Sequence, residues 1–399
     1  MPESSTSMKL ARRVLEMAES ETLAVAARAA QLSAQGVDVV GFGVGEPDFD
    51  TPEHICDAAI RQIRAGQTRY PKPAHGIKAA KQAVCTRVAR EADLRYSPEQ
   101  VIITSGGKMA FFLAMHALLD PGDEVIIPAP YWVSYPAIAR LAGGVPVVIE
   151  GQRERDYKVS TDQVKRAITA RTRAYIHNSP SNPGGFTYTP EQVRELAGVL
   201  ARHELLVVAD DIYDRLVYDG MRHLSYAAVS EAAYRQTLTI NSGSKTYAMT
   251  GWRIGYACGP TELIAAMAKL QSQTTSGAAT FTQWALAEAL TGDQQCVETM
   301  RGEFENRARY MWSRLCEMPG VTCLKPTGAF YCFPDVSQTY ERLGVKGSDE
   351  FTQRLLNEAH VAVVPGSAFG ADRHVRLSFA LSMENIRQGL DRMEAFLKG

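Results

Sequence analysis

The chain has 399 residues, 45% hydrophobic and 22% charged, which is globular composition with room for two domains and a sizeable core. Its 43 Lys and Arg against 44 Asp and Glu leave a formal charge of −1, so neither nucleic acid nor an anionic membrane has a bulk electrostatic claim as partner. Seven cysteines without a Cys-x-x-Cys pair argue against a disulfide framework or zinc cluster, and for free thiols in a reducing compartment, the cytosol by default.

Lys9, Arg12, Arg13, Glu16, Glu19, Glu21 and Arg28 break up the first thirty residues, leaving no apolar stretch for a secretory signal, and the glutamates speak against a mitochondrial transit peptide. Thr51-Pro52 predicts an N-cap and a first-turn proline for a helix closed by Gly66. From there to about residue 275 apolar, β-rich runs alternate with helical stretches, the pattern of a parallel sheet with crossover helices. Strands are expected at 101–104, 125–127, 145–149, 174–177, 205–209, 238–241 and 254–258, and helices at 108–119, 190–203 and 261–272. None of the apolar runs approaches the roughly twenty residues of a membrane helix. Past residue 300 come a long charged helix, a strand at 328–331 and a terminal helix from Ser382. The expected division is a large domain over 49–299 and a smaller one built from 1–48 and 300–399.

In open parallel sheets ligands bind beyond the carboxyl ends of the strands. Ser105-Gly106-Gly107-Lys108 follows one strand and opens a helix, which offers free N–H groups and a positive dipole end to an anion; a plain strand-to-helix turn fits it equally well. Gly41-x-Gly43-x-Gly45 is followed by Glu46-Pro47-Asp48 where a dinucleotide fold needs a helix, so that fold is rejected. Asp210 follows a strand expected to be buried on both faces, where a carboxylate needs a partner, be it a salt bridge, a helix cap or a ligand. Lys245 follows another strand among small and apolar neighbours, which suits a partly desolvated amine able to act as nucleophile or base.

Taken together these motifs resemble those of the fold-type I, pyridoxal-phosphate-dependent aminotransferases, most closely the bacterial aspartate aminotransferase subgroup. The resemblance spans nearly the whole chain: Gly45 to Pro52, Arg69-Tyr70, Ser105 to Lys108, Pro130-Tyr131-Trp132, Asn178 to Pro183, Asp210 to Tyr213, Ser242 to Lys245, Met249 to Arg253 and Val375 to Ser378. It implies an α/β fold with a mostly parallel sheet in the large domain, a smaller α+β domain, and pyridoxal 5′-phosphate as cofactor. By resemblance, Lys245 carries the cofactor and moves the substrate's α-proton, Asp210 holds the proton of the pyridine nitrogen, Asn182 and Tyr213 bond the ring's 3′ oxygen, and Trp132 stacks on its face. The phosphate would be held by Ser105, Gly106, Gly107, Lys108, Ser242, Ser244 and Arg253, with the partner subunit's Tyr70 completing a site shared in a homodimer.

The resemblance further implies that Arg376, helped by Gly45, Asn182 and Trp132, clamps the substrate's α-carboxylate, and that Lys108 with Thr22 reads the distal one. No Arg or Lys lies between Lys269 and Arg301, where other aspartate aminotransferases place that reader. Two departures from the usual pattern are Asn182-Pro183-Gly184-Gly185 and Asp210-Asp211. The implied activity is amino transfer from aspartate to 2-oxoglutarate. Prephenate is an alternative substrate, although Ala18 stands where relatives with that activity often have lysine. Aromatic or neutral amino acids are another alternative, and a β C–S lyase is an alternative of another reaction class.

Overall fold

A computed structural model of the chain describes residues 8–15, 17 and 21–399, the side chains of 21–23 excepted. The apolar runs assemble into one seven-stranded sheet: β1 (Val101–Thr104), β2 (Glu124–Ala129), β3 (Val145–Glu150), β4 (Thr172–Asn178), β5 (Leu206–Asp210), β6 (Thr237–Ser242) and β7 (Gly255–Cys258), in the spatial order β1-β7-β6-β5-β4-β2-β3. Every residue of β1, β5, β6 and β7 is buried, the expected fate of continuous apolar runs between two helical layers. Each fully buried Val, Leu or Ile there contributes about 1.5–3 kcal/mol. β3 forms an edge and leaves Val145 and Val148 exposed.

Neighbours from β6 to β3 pair in parallel, but β7 runs antiparallel to both β1 and β6. One edge of the sheet therefore collects the carboxyl ends of β1, β2, β3, β4, β5 and β6 together with the amino end of β7, whose Gly255 pairs with Thr104 and Ser242. The chain reaches this edge by leaving six strands and by entering a seventh.

The helices Gly107–Leu118, Pro190–Leu200 and Thr261–Thr274 fall where the sequence predicts them, and the terminal helix Met383–Lys398 is capped by Ser382, whose hydroxyl accepts the Asn385 N–H at 3.2 Å. Helices Lys78–Ala92, Thr280–Thr291 and Ser348–Ala359 are additional. The long charged helix begins earlier than expected, spanning Gln295–Glu317, and the strand expected at 328–331 is reduced to Tyr331–Cys332.

Thr51 does not cap its helix. Glu53–Arg64 starts after Pro52 with no side-chain cap, because Thr51 Oγ1 is committed elsewhere: it donates to the Ala248 carbonyl at 2.7 Å and accepts the Trp252 indole N–H at 2.9 Å. A local signal has been overridden by a contact with the loop that precedes β7.

Near the chain ends, Val364–Pro365, Val375–Ser378 and Tyr331–Cys332 form a three-stranded antiparallel sheet, and Val40–Gly41 pairs in parallel with Val361–Ala362. A buried cluster unites both ends of the chain through Val40, Phe42, Phe304, Met311, Leu377 and Leu390, and it also takes in Tyr213 and Leu216 from the segment after β5. The Gly45–Pro52 segment is pinned to this cluster by Arg307, which donates to both oxygens of Asp48 at 2.7 and 2.9 Å and lies over the Phe49 ring at 5.2 Å. Among the described residues no helix is long and apolar enough to cross a membrane.

Candidate active site

Asp210 is the last residue of β5 and only 8% exposed. Its Oδ2 accepts the Tyr135 hydroxyl at 2.6 Å and its Oδ1 the Ile212 N–H at 3.3 Å. Burial pushes its pKa up to about 6, while these two donors pull the other way. Its neighbour Asp211 ends on the opposite side of that balance. Burial raises it too, but His223, 3.3 Å away, outweighs burial and leaves the carboxyl below its usual range. Adjacent carboxylates thus have different tasks: Asp211 has a partner within the protein, and Asp210 is held by neutral donors alone.

Lys245 lies in the short helix Gly243–Thr246 directly after β6. Its Nζ donates to the Gly45 carbonyl and stands 5.7 Å from the centre of the Phe330 ring. Burial draws its pKa down to about 8; Glu46 opposes this, Arg376 and Arg253 add to it, and Asp210 opposes it. The amine is therefore within reach of neutrality at working pH, the condition for a nucleophilic lysine.

The helix Gly107–Leu118 begins beyond β1, with Gly106 at φ +88° as its cap. A Cβ on Gly106 would sit 2.5 Å from Arg253 Nη2, so glycine is what allows the guanidinium to close over the helix start. Arg253, exposed and at φ +51°, steadies its fork by donating to the Thr250 carbonyl at 2.8 Å. Ser242 lies alongside, its Oγ accepting the Ser244 N–H at 3.0 Å and keeping its own proton to give. Lys108 is exposed; its Nζ is 5.0 Å from the centre of Trp132, and burial followed by Arg253 lowers its pKa. A helix N-terminus, hydroxyls and two cations around one small space form an anion cradle.

Arg376 comes from the centre of the three-stranded sheet and is 2% exposed. Nη1 donates to Asn182 Oδ1 and Nη2 to the Gly43 carbonyl, both at 2.9 Å. The guanidinium lies over the rings of Tyr331 at 4.5 Å and Phe369 at 5.1 Å. Its Nε has no partner, and among the described residues no acidic side chain pairs with it. A buried cation met only by neutral acceptors is several kcal/mol short of compensation and favours an anionic guest.

Asn178, the last residue of β4, ties these groups together. Its Nδ2 donates to the Asp210 carbonyl at 3.1 Å and its Oδ1 accepts the Asn182 N–H at 3.0 Å. Tyr213 is 3% exposed, with its hydroxyl 3.0 Å from that of Tyr331. The fold thus brings Asp210, Lys245, Asn182, Tyr213, Gly45 and Arg376 to one region, although the carbonyl that Arg376 meets is Gly43's and Gly45's goes to Lys245. Tyr70 is 79% exposed. The Thr22 side chain and Ala18 lie outside the described residues. Tyr135 and Tyr331 escape a reading of the sequence alone, and Asn178 and Gly43, although they fall within motifs read there, are given no role by it. Tyr135 could have been found from its place shortly after the Pro130–Trp132 motif, and Asn178 as the polar terminus of an apolar strand.

The donor set fits a phosphorylated pyridine aldehyde: an anion cradle, a buried carboxylate held by neutral donors, an amine of lowered pKa, and a separate carboxylate receptor. The model of the family "Aminotransferase class I and II" matches residues 37–393. The aspartate aminotransferase of Geobacillus stearothermophilus is 47% identical over 391 residues, covering 98% of this chain and 99% of that protein. The aspartate/prephenate aminotransferase of Thermus thermophilus is 46% identical, covering 97% and 98%. A solved structure of aspartate aminotransferase from Thermus thermophilus with maleate superposes with a TM-score of 0.93 at 45% identity, covering 98% of this chain and all of that one. The fold is that of a pyridoxal-phosphate enzyme. The chain belongs to the class I and II aminotransferases, and its cofactor is pyridoxal 5′-phosphate.

Proposed function

We propose that this chain is an aspartate aminotransferase, which moves the amino group of L-aspartate to 2-oxoglutarate and yields oxaloacetate and L-glutamate. The observation that carries the carboxylate part of this reading is Arg376, a buried guanidinium with no acidic partner among the described residues. The choice of aspartate rests on the relatives that bear that name at 44–47% identity over 98% of the chain.

Pyridoxal phosphate, when bound, supplies a carbonyl that condenses with amines and a ring that draws electrons from the substrate's α-carbon. Lys245 would hold the cofactor through its amine, and that amine would take the substrate's α-proton on Nζ. Asp210 keeps the proton on the ring nitrogen by a charge-assisted hydrogen bond. Asn182 Nδ2 and the Tyr213 hydroxyl bond the 3′ oxygen, and Trp132 covers one face of the ring. Ser105, Gly106, Gly107, Ser242, Ser244 and Arg253 hold the phosphate, and Arg376 orients the α-carboxylate. Lys108 reads the distal carboxylate with Thr22. The enzyme works as a homodimer in the cytosol, with the partner subunit's Tyr70 reaching the phosphate; residues 49–299 form the cofactor domain, and 1–48 with 300–399 the second.

A second reading, prephenate as an additional acceptor, is favoured by the 46% identical relative with that double name. The test is spectroscopic. Adding aspartate to the holoenzyme should abolish the cofactor's visible absorbance and 2-oxoglutarate should restore it; a spectrum unmoved by aspartate ends the proposal. Glutamate followed by prephenate in the same cell decides the second reading.

A further inference from the structure

The strongest contact to the Asp210 carboxylate comes from Tyr135, a residue outside every motif that identified the site. Tyr135 is 2% exposed in the first turn of the helix Ser134–Leu141, whose Pro136, Ile138 and Ala139 are also buried. Its ring is trapped on both sides: Phe111 packs on it at 5.0 Å and 59°, and Trp132 meets it edge-on at 5.2 Å and 83°. A ring held in this way cannot swing its hydroxyl off Asp210. Phe111 belongs to the helix that opens at the anion cradle, so Tyr135 touches elements leading to the cradle, to Trp132 and to the end of β5.

We propose that Tyr135 is a positioning residue for the cofactor ring: its hydroxyl fixes Asp210 Oδ2 and leaves Oδ1 to hold the ring nitrogen's proton, while its ring braces Trp132 against the ring's face. The inference rests on the cofactor role given to Asp210. The asymmetry of Asp210's bonds supports it, since Oδ2 has a short bond from a strong donor and Oδ1 only the Ile212 amide at 3.3 Å. The groups around Asp210 are Tyr135 from its helix, Asp211 and Tyr213 along its own chain, and Lys245 from the loop after β6. Asp211 disfavours the ionised carboxylate and Lys245 favours it. Burial, then Asp210 itself, pushes the Tyr135 hydroxyl well above its ordinary range, so it donates at every pH the enzyme meets.

The test compares holoenzymes of wild type, Tyr135→Phe, Asp210→Asn and the double variant, dialysed against cofactor-free buffer at a series of pH values, with retained pyridoxal phosphate measured after denaturation. Phe preserves the ring and its packing. Tyr135→Phe should weaken cofactor retention roughly tenfold to a hundredfold, the worth of a hydrogen bond to a charged group. It should also move the acid-side loss of retention to higher pH, since a carboxylate deprived of a donor protonates more readily. In the Asp210→Asn background the same change should cost less than about twofold. Wild-type retention and an unmoved pH midpoint in Tyr135→Phe overturn the proposal. An equal loss in both backgrounds also overturns it, by assigning Tyr135 to packing. Unchanged retention in Asp210→Asn alone removes the Asp210 assignment, and this proposal with it.

Discussion

Each ionisable residue of the site has its state set by what the surrounding chain withholds from it. Burial, helped by Arg376 and Arg253 and opposed by Glu46 and Asp210, brings the Lys245 amine down to about 8. Only the unprotonated amine can attach the cofactor. The rate at which cofactor-free protein takes up pyridoxal phosphate should therefore rise with pH up to about 8 and level off above it, where an ordinary lysine would still be gaining near pH 10. Stopped-flow absorbance measures this, and Lys245→Ala should show no such phase and no turnover. Lys108 poses a different question, because it stands near both Trp132 and Arg253. If it reads the distal carboxylate, Lys108→Ala should lower kcat/KM for aspartate by about 1.5–3 kcal/mol, roughly tenfold to a hundredfold, with little change for alanine. Equal losses for both substrates would assign Lys108 to the phosphate instead. Asp210, Lys245 and Arg376 are legible in the sequence because each is a charge placed directly after or within an apolar strand, where burial forces it to have a purpose. Tyr135 and Tyr331 are not, since a buried tyrosine in an α/β core needs no function, and only the coordinates show where its hydroxyl points.

At the level of elements, the strand ends do most of the placing. The helix Gly107–Leu118 is aimed at the site by Gly106, whose positive φ and missing Cβ serve the same close approach of Arg253. Gly106→Ala should destabilise the protein by about 1–3 kcal/mol of backbone strain and should also weaken cofactor retention. Denaturant melts and dialysis separate the two effects, and a loss of stability without a loss of retention would refute the cradle. The apolar runs predict all seven strands, with boundaries shifted by a residue or two, because each is short and, for the most part, rich in β-branched or aromatic residues. The direction of Gly255–Cys258 is not predictable from composition, since an apolar run reads the same whether it pairs parallel or antiparallel. Thr51 is misread for a related reason: its hydroxyl can cap the local helix or bond a distant loop, and nothing within a few residues of it reveals the Trp252 indole. The helix Thr280–Thr291 goes unseen because Thr282, Gln283, Ala285 and Leu286 are all buried, and a helix covered on most sides has no polar face to give it periodicity.

For the whole molecule, the near-neutral net charge conceals a strong local asymmetry, with Lys108, Arg253 and Arg376 converging on a region where Asp210 is the buried acid left without a cationic partner. Tyr70 extends this to the assembly. Open in its own chain, it is proposed to act only through a second copy, so, where sedimentation finds a dimer, Tyr70→Phe should weaken phosphate-dependent cofactor retention about tenfold. No effect on retention would leave the shared site without support. The antiparallel β7 has a consequence for how the gene can be rearranged. Between Ser242 and Gly255 the chain makes a closed excursion that leaves and returns at the same edge of the sheet, carrying both Lys245 and Arg253. A circular permutant opened within that excursion would keep every residue and yet unfasten Lys245 from Arg253. One opened at the exposed turn Ala201–Glu204, on the sheet's other edge, would present the same active site from new termini.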